Sequence, residues 1–159
     1  GVMHEIDVLA EKDGKKILIE AKYHNAPGIF TGLHEAMYTW ARFLDICQRT
    51  KEFSGMWLVS NTKFSSDAIK YSNFTGLKLV GWHYPKTENL QFLIESKKLY
   101  PITLLGNLSM EDEQKFSSAG IMLLNDINAI EIEKLRSLTH INFKKLKELK
   151  SLASKILNG

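Results

Sequence analysis

A tight turn near the start of the chain constrains the fold more than any other feature of the sequence. Asp13-Gly14 separates two runs, 4–12 and 15–22, in which apolar and charged residues alternate. An Asp-Gly pair between such runs predicts a two-residue β-hairpin turn. A turn closed there pairs residues whose numbers sum to 27, as 13 and 14 do, so it places Asp7 directly opposite Glu20.

The alternation gives the predicted hairpin one charged face and one apolar face, because neighbouring side chains on a strand point to opposite sides. Glu5 lies across from Lys22 and shares the charged face with Asp7 and Glu20. The opposite face is apolar and is predicted to be the core side of the hairpin. Its members are Ile6, Val8, Ala10, Ile17, Ile19 and Ala21.

Two carboxylates that face each other across a hairpin repel unless a cation lies between them. Mg²⁺ accepts Asp and Glu oxygens and usually takes only one or two protein carboxylates, which leaves room for a substrate phosphate. Asp7 and Glu20 are therefore candidate metal ligands, and Lys22 is placed to meet a phosphate or an attacking water. Plain cross-strand ion pairs, such as Glu11 with Lys16, are the competing interpretation of this face.

The order and spacing of these residues carry a family resemblance. Asp7 is followed thirteen residues later by Glu20-Ala21-Lys22, which resembles the D…(D/E)xK motif of the restriction-endonuclease-like nuclease superfamily. The resemblance implies that Asp7 and Glu20 bind Mg²⁺ or Mn²⁺ and that Lys22 assists catalysis, so that all three residues are catalytic.

The resemblance extends over residues 4–85 and is closest to the Mrr-like branch of that superfamily. In that branch a strand ends in a turn that contains Thr and Asn, and a helix and a final strand follow. Such nucleases usually carry an acidic residue on a helix before the first catalytic strand, so we expect that helix to be missing from this chain. The matching segments are 20–25, the helix around 34–47, 58–65 and 77–82.

The apolar periodicity predicts the elements that follow the hairpin. A helix is expected from about Thr31 to Lys51, then a strand at 56–60 that is buried on both faces, a helix capped by Ser65 or Ser66 and ended by Gly76, and a strand at 77–82. The expected apolar stripe of the first helix comprises Leu33, Met37, Trp40, Ala41, Leu44 and Cys47. This order predicts an α/β fold with a restriction-endonuclease-like mixed sheet, in which the hairpin is antiparallel and the helix-crossed strands are parallel.

The sequence changes character after Pro85 and predicts three regions in all. These are a nuclease-like core at 1–85, a connector at 86–106 and a small all-helical domain at 107–159. The helical domain resembles a helix-hairpin-helix module, although its turn at 139–142 lacks the glycines that usually let backbone amides reach a DNA phosphate. Lys144, Lys145, Lys147 and Lys150 form either a phosphate-facing stripe or an ordinary solvated face.

Composition narrows the function classes only slightly. The net charge of +3 is compatible with a nucleic-acid partner but does not require one. The single cysteine, Cys47, excludes an internal disulfide and a cysteine-cluster zinc site, and we expect it to be a small core residue. No apolar run is long enough to span a membrane, so a cytoplasmic protein without a membrane partner is expected.

Several other residues are candidates for accessory roles. Glu5 would add an outer ligand or a base, His24 follows Lys22 closely enough to lie at the rim of the site, and Lys63 follows a strand where open α/β sheets bind ligands. His4 is expected to be a structural histidine. Trp82 and Tyr84 either stack on bases or close the core, and core closure is the favoured role for Trp82.

Two functions from different classes fit the sequence. The first is a Mg²⁺-dependent endonuclease module that hydrolyses DNA phosphodiester bonds, with DNA as its partner and a homodimer as the assembly that cuts both strands. The alternative is a catalytically inactive, nuclease-derived module that binds nucleic acid or forms dimers.

Overall fold

The computed structural model describes residues 2–26 and 28–159. The chain forms two compact units, one ending at Phe92 and the other running from Leu93 to Gly159. The boundary therefore falls inside the predicted connector at 86–106. No helix in the described part of the chain is long and apolar enough to cross a membrane.

The N-terminal unit is a mixed α/β structure, which confirms the predicted fold class. Its elements are β1 (Val8–Lys12), β2 (Lys15–Lys22), β3 (Phe30–Thr31), α1 (Leu33–Arg49), β4 (Phe53–Ser60), β5 (Lys63–Phe64), α2 (Ser66–Thr75) and β6 (Lys78–Val80). The short strands β3 and β5 form a separate parallel pair. Helix α3 (Leu90–Ser96) begins in this unit and continues past its boundary.

The main sheet has the strand order β1-β2-β4-β6 and the strand directions that the sequence predicts. Strands β1 and β2 are antiparallel, whereas β2 with β4 and β4 with β6 are parallel. The hairpin register runs from Val8 opposite Ile19 to Lys12 opposite Lys15, so the predicted register is confirmed within this ladder. The predicted pairs Asp7–Glu20 and Glu5–Lys22 lie outside it, because β1 begins at Val8. Asp13 and Gly14 both have positive φ values, 52° and 73°, as a tight hairpin turn of this hand requires.

The buried face of the hairpin is the opposite of the predicted one. Leu18 and Glu20 are buried on the face of β2 that α1 covers, whereas Val8 and Ala21 are exposed. Strand β4 likewise alternates between buried and half-buried residues, so it is not buried on both faces as predicted. The core of the unit joins side chains from this face to α1 and α2. It consists of Leu18, Ala36, Phe43, Met56, Leu58, Phe64, Ala68, Leu77 and Leu79.

In the two helices of this unit, the predicted helix ends of α2 are confirmed, whereas the apolar face predicted for α1 is confirmed only in part. Ser65 caps α2 by accepting a hydrogen bond from the Ala68 amide, and Gly76 ends the helix in the left-handed conformation, as predicted. The predicted stripe of α1 was wrong for Leu33, Met37 and Leu44, which are exposed. It was right for Trp40 and Cys47, which pack against the core. The buried positions of α1 are Ala36, Thr39, Arg42 and Phe43.

The C-terminal unit is helical. It contains a 3₁₀ turn (Ile102–Leu105), α4 (Met110–Ser118), α5 (Leu124–Ala129), α6 (Ile132–Thr139) and α7 (Phe143–Asn158). Ser109 caps α4 by accepting a hydrogen bond from the Asp112 amide. The turn predicted at 139–142 joins α6 to α7, whereas the sequence analysis did not predict α5. Ile102 and Leu105 are buried in the core of this unit, so the second half of the predicted connector is part of the helical fold.

Two of the four lysines in the predicted stripe of α7 serve the fold itself. Lys150 donates hydrogen bonds to the backbone carbonyls of Ile127, Asn128 and Ile130 and so closes the end of α5. Lys145 pairs with the buried Asp112. Lys144 is exposed and Lys147 lies beside it on a shallow surface. The α6–α7 turn contains His140 in the left-handed conformation, with a φ of 55°.

We expect Asp112 to make the helical unit sensitive to acid. Burial raises the pKa of Asp112, but hydrogen bonds from Lys145 and Ser109 outweigh that effect and lower the pKa to about 2. A carboxyl group with a lowered pKa contributes stability above its ordinary pKa, and that stability is lost as the pH falls through the folded value. Asp112→Asn should therefore remove about 2 kcal/mol at neutral pH and flatten the loss between about pH 4 and pH 2.

Urea unfolding followed by the NMR signals of α4 and α7 measures this effect in the helical unit alone. Glu111→Gln on the same helix is the matched control, because Glu111 is exposed and pairs with Lys115 at the surface. An unchanged pH dependence in Asp112→Asn would show that the buried pair does not set the acid stability.

Candidate active site

The three residues of the predicted catalytic motif come together at the carboxyl end of β2. Glu20 and Lys22 lie on the same face of β2, and the Lys22 ammonium donates a hydrogen bond of 2.5 Å to Glu20 Oε1. Asp7 immediately precedes β1, and its Oδ2 accepts a hydrogen bond of 2.7 Å from the Ala21 amide. The Asp7 carboxylate is therefore anchored to the backbone between Glu20 and Lys22.

Glu20 is a buried carboxylate that is neutralised by two cations. It is 3% exposed, and its Oε2 accepts a hydrogen bond of 2.7 Å from the Arg42 guanidinium. Lys22 neutralises the other oxygen from the solvent side. A buried charge is tolerated only when it is paired and hydrogen-bonded, and these two partners supply both conditions.

Arg42 reaches this carboxylate from α1, and the sequence analysis did not identify it. Its side chain is 8% exposed, and its guanidinium lies 5.5 Å from the centre of the Tyr38 ring. The Tyr38 ring also stacks with the His34 ring, and the two ring centres are 6.5 Å apart. Two buried polar atoms, Thr39 Oγ1 and Arg42 Nε, have no hydrogen-bond partner among the described residues. One sequence signal could have identified Arg42: it is an arginine next to Phe43, within the apolar repeat of the helix.

A cluster of hydroxyl groups lies next to Lys22, because Ser60 is the register partner of Lys22 in the β2–β4 pair. The hydroxyls of Thr31, Ser60 and Thr62 are 2.7–3.1 Å apart. The ring of His24 reaches the same cluster, with 3.2 Å between its Nε2 and Thr31 Oγ1. No sequence pattern indicated this cluster, because Thr31 lies 29 positions before Ser60 in the chain.

His24 and Lys63 lie on a cleft of about 530 Å³ that continues from this cluster. The Asn61 side chain holds the His24 backbone with two hydrogen bonds of 2.9 Å: its Oδ1 accepts from the His24 amide, and its Nδ2 donates to the His24 carbonyl. Glu5 is exposed and precedes β1, so it does not pair with Lys22 as predicted. Asp7, Glu20 and Lys22 thus form one group, His24 and Lys63 lie on the adjoining cleft, and Glu5 belongs to neither.

The remaining predicted residues have structural surroundings. His4 lies 2.6 Å from Asp45 on α1, as expected for a structural histidine, and this hydrogen bond lowers the pKa of Asp45. Burial raises the pKa of Cys47, which packs against the core as predicted. Tyr84 packs edge-on against Phe64, whereas Trp82 remains 37% exposed and so does not close the core.

The protein donors fit a metal ion only if solvent or substrate completes its shell. Within the described ranges 2–26 and 28–159, no group of three or more His, Cys, Asp and Glu side chains is arranged to hold a metal. Asp7 and Glu20 supply two carboxylates, which is the number that Mg²⁺ commonly takes from a protein. Each carboxylate oxygen has two lone pairs, so Glu20 Oε1 retains one while it accepts from Lys22.

The fold and the site define an α/β protein in which Asp7, Glu20 and Lys22 lie at the carboxyl end of a central strand. The AF1548-like, C-terminal family matches residues 100–157. A protein of Archaeoglobus fulgidus described as an uncharacterized protein is 44% identical over 156 residues, covering 98% of this chain and 87% of that protein. The chain therefore belongs to the AF1548-like family.

The likeness extends to a solved structure. The crystal structure of the protein of unknown function AF1548 matches with a TM-score of 0.85 at 44% identity, covering 98% of this chain and 82% of that one. The agreement spans both units of the chain. The names of these relatives describe no activity.

Proposed function

We propose that the chain is a Mg²⁺- or Mn²⁺-dependent endonuclease module that hydrolyses DNA phosphodiester bonds. The observation that carries the proposal is the anchoring of the Asp7 carboxylate to the Ala21 amide, between Glu20 and Lys22. This brings the acidic pair and the lysine of the predicted motif to one point. The resemblance to Mrr-like nucleases over 4–85 supports the same reaction.

Asp7 and Glu20 would hold the ion. Asp7 is exposed and therefore accessible to solvent and to a phosphate, whereas Glu20 is fixed from behind by Arg42. A bound divalent cation polarises the phosphoryl oxygens and makes water a stronger nucleophile. The fixed orientation of Glu20 keeps the acidic pair in place without a rearrangement of the core.

Lys22 supplies the positive charge next to this acidic pair. Its ammonium group is partly exposed and contacts Glu20 Oε1, so it lies where the reacting phosphate would meet the two carboxylates. Hydrolysis forms a bond from the water oxygen to phosphorus and breaks the bond from phosphorus to the leaving oxygen, which takes up a proton. Lys22 orients the attacking water and stabilises the charge that develops on the phosphoryl group. Lys63 contacts a neighbouring phosphate, and His24 lines the approach.

A second function is favoured by the state of Glu20. Lys22 and Arg42 already neutralise this carboxylate without a metal ion. A nuclease-derived module that binds nucleic acid without cutting it is consistent with that pairing. DNA binding that weakens with salt and yields no metal-dependent product would identify this function.

Asp7→Asn should abolish metal-dependent cleavage. The asparagine side-chain oxygen still accepts the hydrogen bond from the Ala21 amide, so the hairpin is retained while one anionic ligand is lost. We expect the wild-type chain to nick supercoiled plasmid in Mg²⁺ and to leave it intact in excess EDTA. In Mg²⁺, the nicking rate of Asp7→Asn should be lower than that of the wild type by roughly 100-fold or more. Agarose gels resolve the nicked product.

Asp67→Asn is the matched control for this substitution, because Asp67 is an exposed residue of α2 that pairs with Lys70 at the surface. It should cut at the wild-type rate. Cleavage that survives EDTA, or that proceeds at the wild-type rate in Asp7→Asn, would refute the proposed function.

The proposed reaction also bears on assembly and location. A single site cuts one strand at a time, so a homodimer is the assembly that would cut both strands of a duplex. A cytoplasmic location fits a DNA substrate and a chain whose single cysteine forms no disulfide.

A further inference from the structure

Exposed aromatic side chains form the rim of the cleft beside the candidate active site. Tyr23 is 77% exposed, Phe30 is 56% exposed and Trp82 is 37% exposed. The cleft volume of about 530 Å³ lies in the range of sites that bind small molecules. Single exposed aromatics are ordinary, but three around one cleft provide flat apolar faces on which a planar group can stack.

The other side chains of the cleft are suited to an anion. Lys63 supplies a positive charge, and His24 and His83 supply ring nitrogens. Asn61 and Thr62 supply polar groups, and none of the described residues that line the cleft is Asp or Glu. The cleft therefore combines stacking surfaces with positive and neutral polar groups, which is the composition of a surface that binds single-stranded nucleic acid.

The backbone connects this cleft to the catalytic residues. Tyr23 and His24 directly follow Lys22, and Asn61 and Thr62 directly follow Ser60, the register partner of Lys22. The buried hydroxyl of Thr31 lies within hydrogen-bond distance of the His24 ring and fixes it at the cleft wall. A strand whose phosphate reaches Lys22 would place its neighbouring base in the cleft.

We propose that this cleft binds an unpaired nucleotide of single-stranded DNA next to the bond that is cut. The inference rests on the proposed function for the location of the cut, and it specifies the substrate as DNA with a single-stranded segment. Bases inside a duplex are stacked on one another and cannot stack on Tyr23 and Trp82. An unpaired base has both faces free and can lie on these rings while Lys63 meets the adjoining phosphate.

Fluorescence anisotropy with labelled oligonucleotides in EDTA tests the inference, because no cutting occurs under those conditions. The full chain should bind a single strand about tenfold more tightly than a blunt duplex of the same sequence. Tyr23→Ala and Trp82→Ala should each weaken single-strand binding about tenfold, as the loss of one stacking partner does. Tyr23→Phe, which keeps the ring, should bind as the wild type does.

Phe74→Ala is the matched control, because Phe74 is 90% exposed on α2 and does not line the cleft. It should leave the affinity unchanged. Equal affinity for single strand and duplex, or an unchanged affinity in Tyr23→Ala, overturns the inference. These outcomes are independent of the cleavage assay. The nuclease proposal fails if Mg²⁺ yields no product, whereas the cleft proposal fails if binding in EDTA does not depend on strandedness or does not depend on the Tyr23 ring.

Discussion

Arg42→Met should lower the free energy of unfolding of the N-terminal unit by about 3 kcal/mol. The substitution keeps an unbranched chain of similar length in the helix but removes the guanidinium that pairs with Glu20 at 2.7 Å. The buried carboxylate then keeps only Lys22, which approaches from the solvent side. Removing one partner of a buried ion pair is costly because the remaining charge is no longer compensated.

Urea unfolding followed by tryptophan fluorescence measures this effect in the N-terminal unit. All three tryptophans, at positions 40, 57 and 82, belong to the N-terminal unit, so their emission does not report on the helical unit. Arg49→Met is the matched control, because Arg49 is an exposed arginine on the same helix. It should change the free energy of unfolding by less than about 0.5 kcal/mol.

A double variant separates the loss of charge pairing from the loss of packing. Glu20→Gln in the Arg42→Met background removes the uncompensated charge, so it should recover part of the stability that Arg42→Met loses. If Glu20→Gln and Arg42→Met instead add their separate costs, the two side chains do not act as a pair, and the central role assigned to Arg42 is wrong.

Local sequence chemistry predicted the hairpin, its register and the ends of α2. Asp13-Gly14 sets the turn, and the turn alone sets every pair between Val8–Ile19 and Lys12–Lys15. Ser65 and Gly76 likewise act through hydrogen bonds and dihedral angles within their own helix. These features depend on near neighbours in the chain, and for that reason they can be read from a sequence.

The buried face of the hairpin could not be read in the same way. Alternation assigned Glu20 to solvent, because a carboxylate in isolation prefers water. Its burial depends on Arg42, which lies 22 positions later on another element. Periodicity also failed for part of α1, because its fully buried positions include the polar residues Thr39 and Arg42.

The cluster of Thr31, Ser60 and Thr62 escaped prediction for a related reason. Each hydroxyl alone is an ordinary polar side chain, and only the β3–β5 and β2–β4 pairings bring them together. Asp7, Glu20 and Lys22 could be predicted because a family pattern specifies their spacing. His24, Lys63 and Trp82 were candidates one by one, but no pattern places them on one cleft, so the cleft and its aromatic rim emerged only from the fold.

Substitutions of Lys22 should have the largest effect on activity. They also distinguish a catalytic role of Lys22 from a purely structural one. In the fold, Lys22 neutralises Glu20 Oε1, a task that any cation of similar reach fulfils. In the proposed reaction, it acts as a compact point charge beside the phosphate, which the broad planar guanidinium of arginine does not reproduce. Lys22→Arg should therefore preserve the stability of the wild type but lose most of its cleavage.

We expect Lys22→Met and Lys22→Arg each to reduce the rate of Mg²⁺-dependent nicking by roughly 100-fold or more. Only Lys22→Met should also lower the urea midpoint, because it leaves Glu20 with Arg42 alone. Lys63→Met provides a control at another cation on the adjoining cleft, and it should weaken DNA binding while leaving the cleavage rate at saturating DNA close to the wild-type value. Full activity in Lys22→Arg would mean that Lys22 serves only to neutralise the buried carboxylate, and the catalytic role would then fall to Asp7 and Glu20 without it.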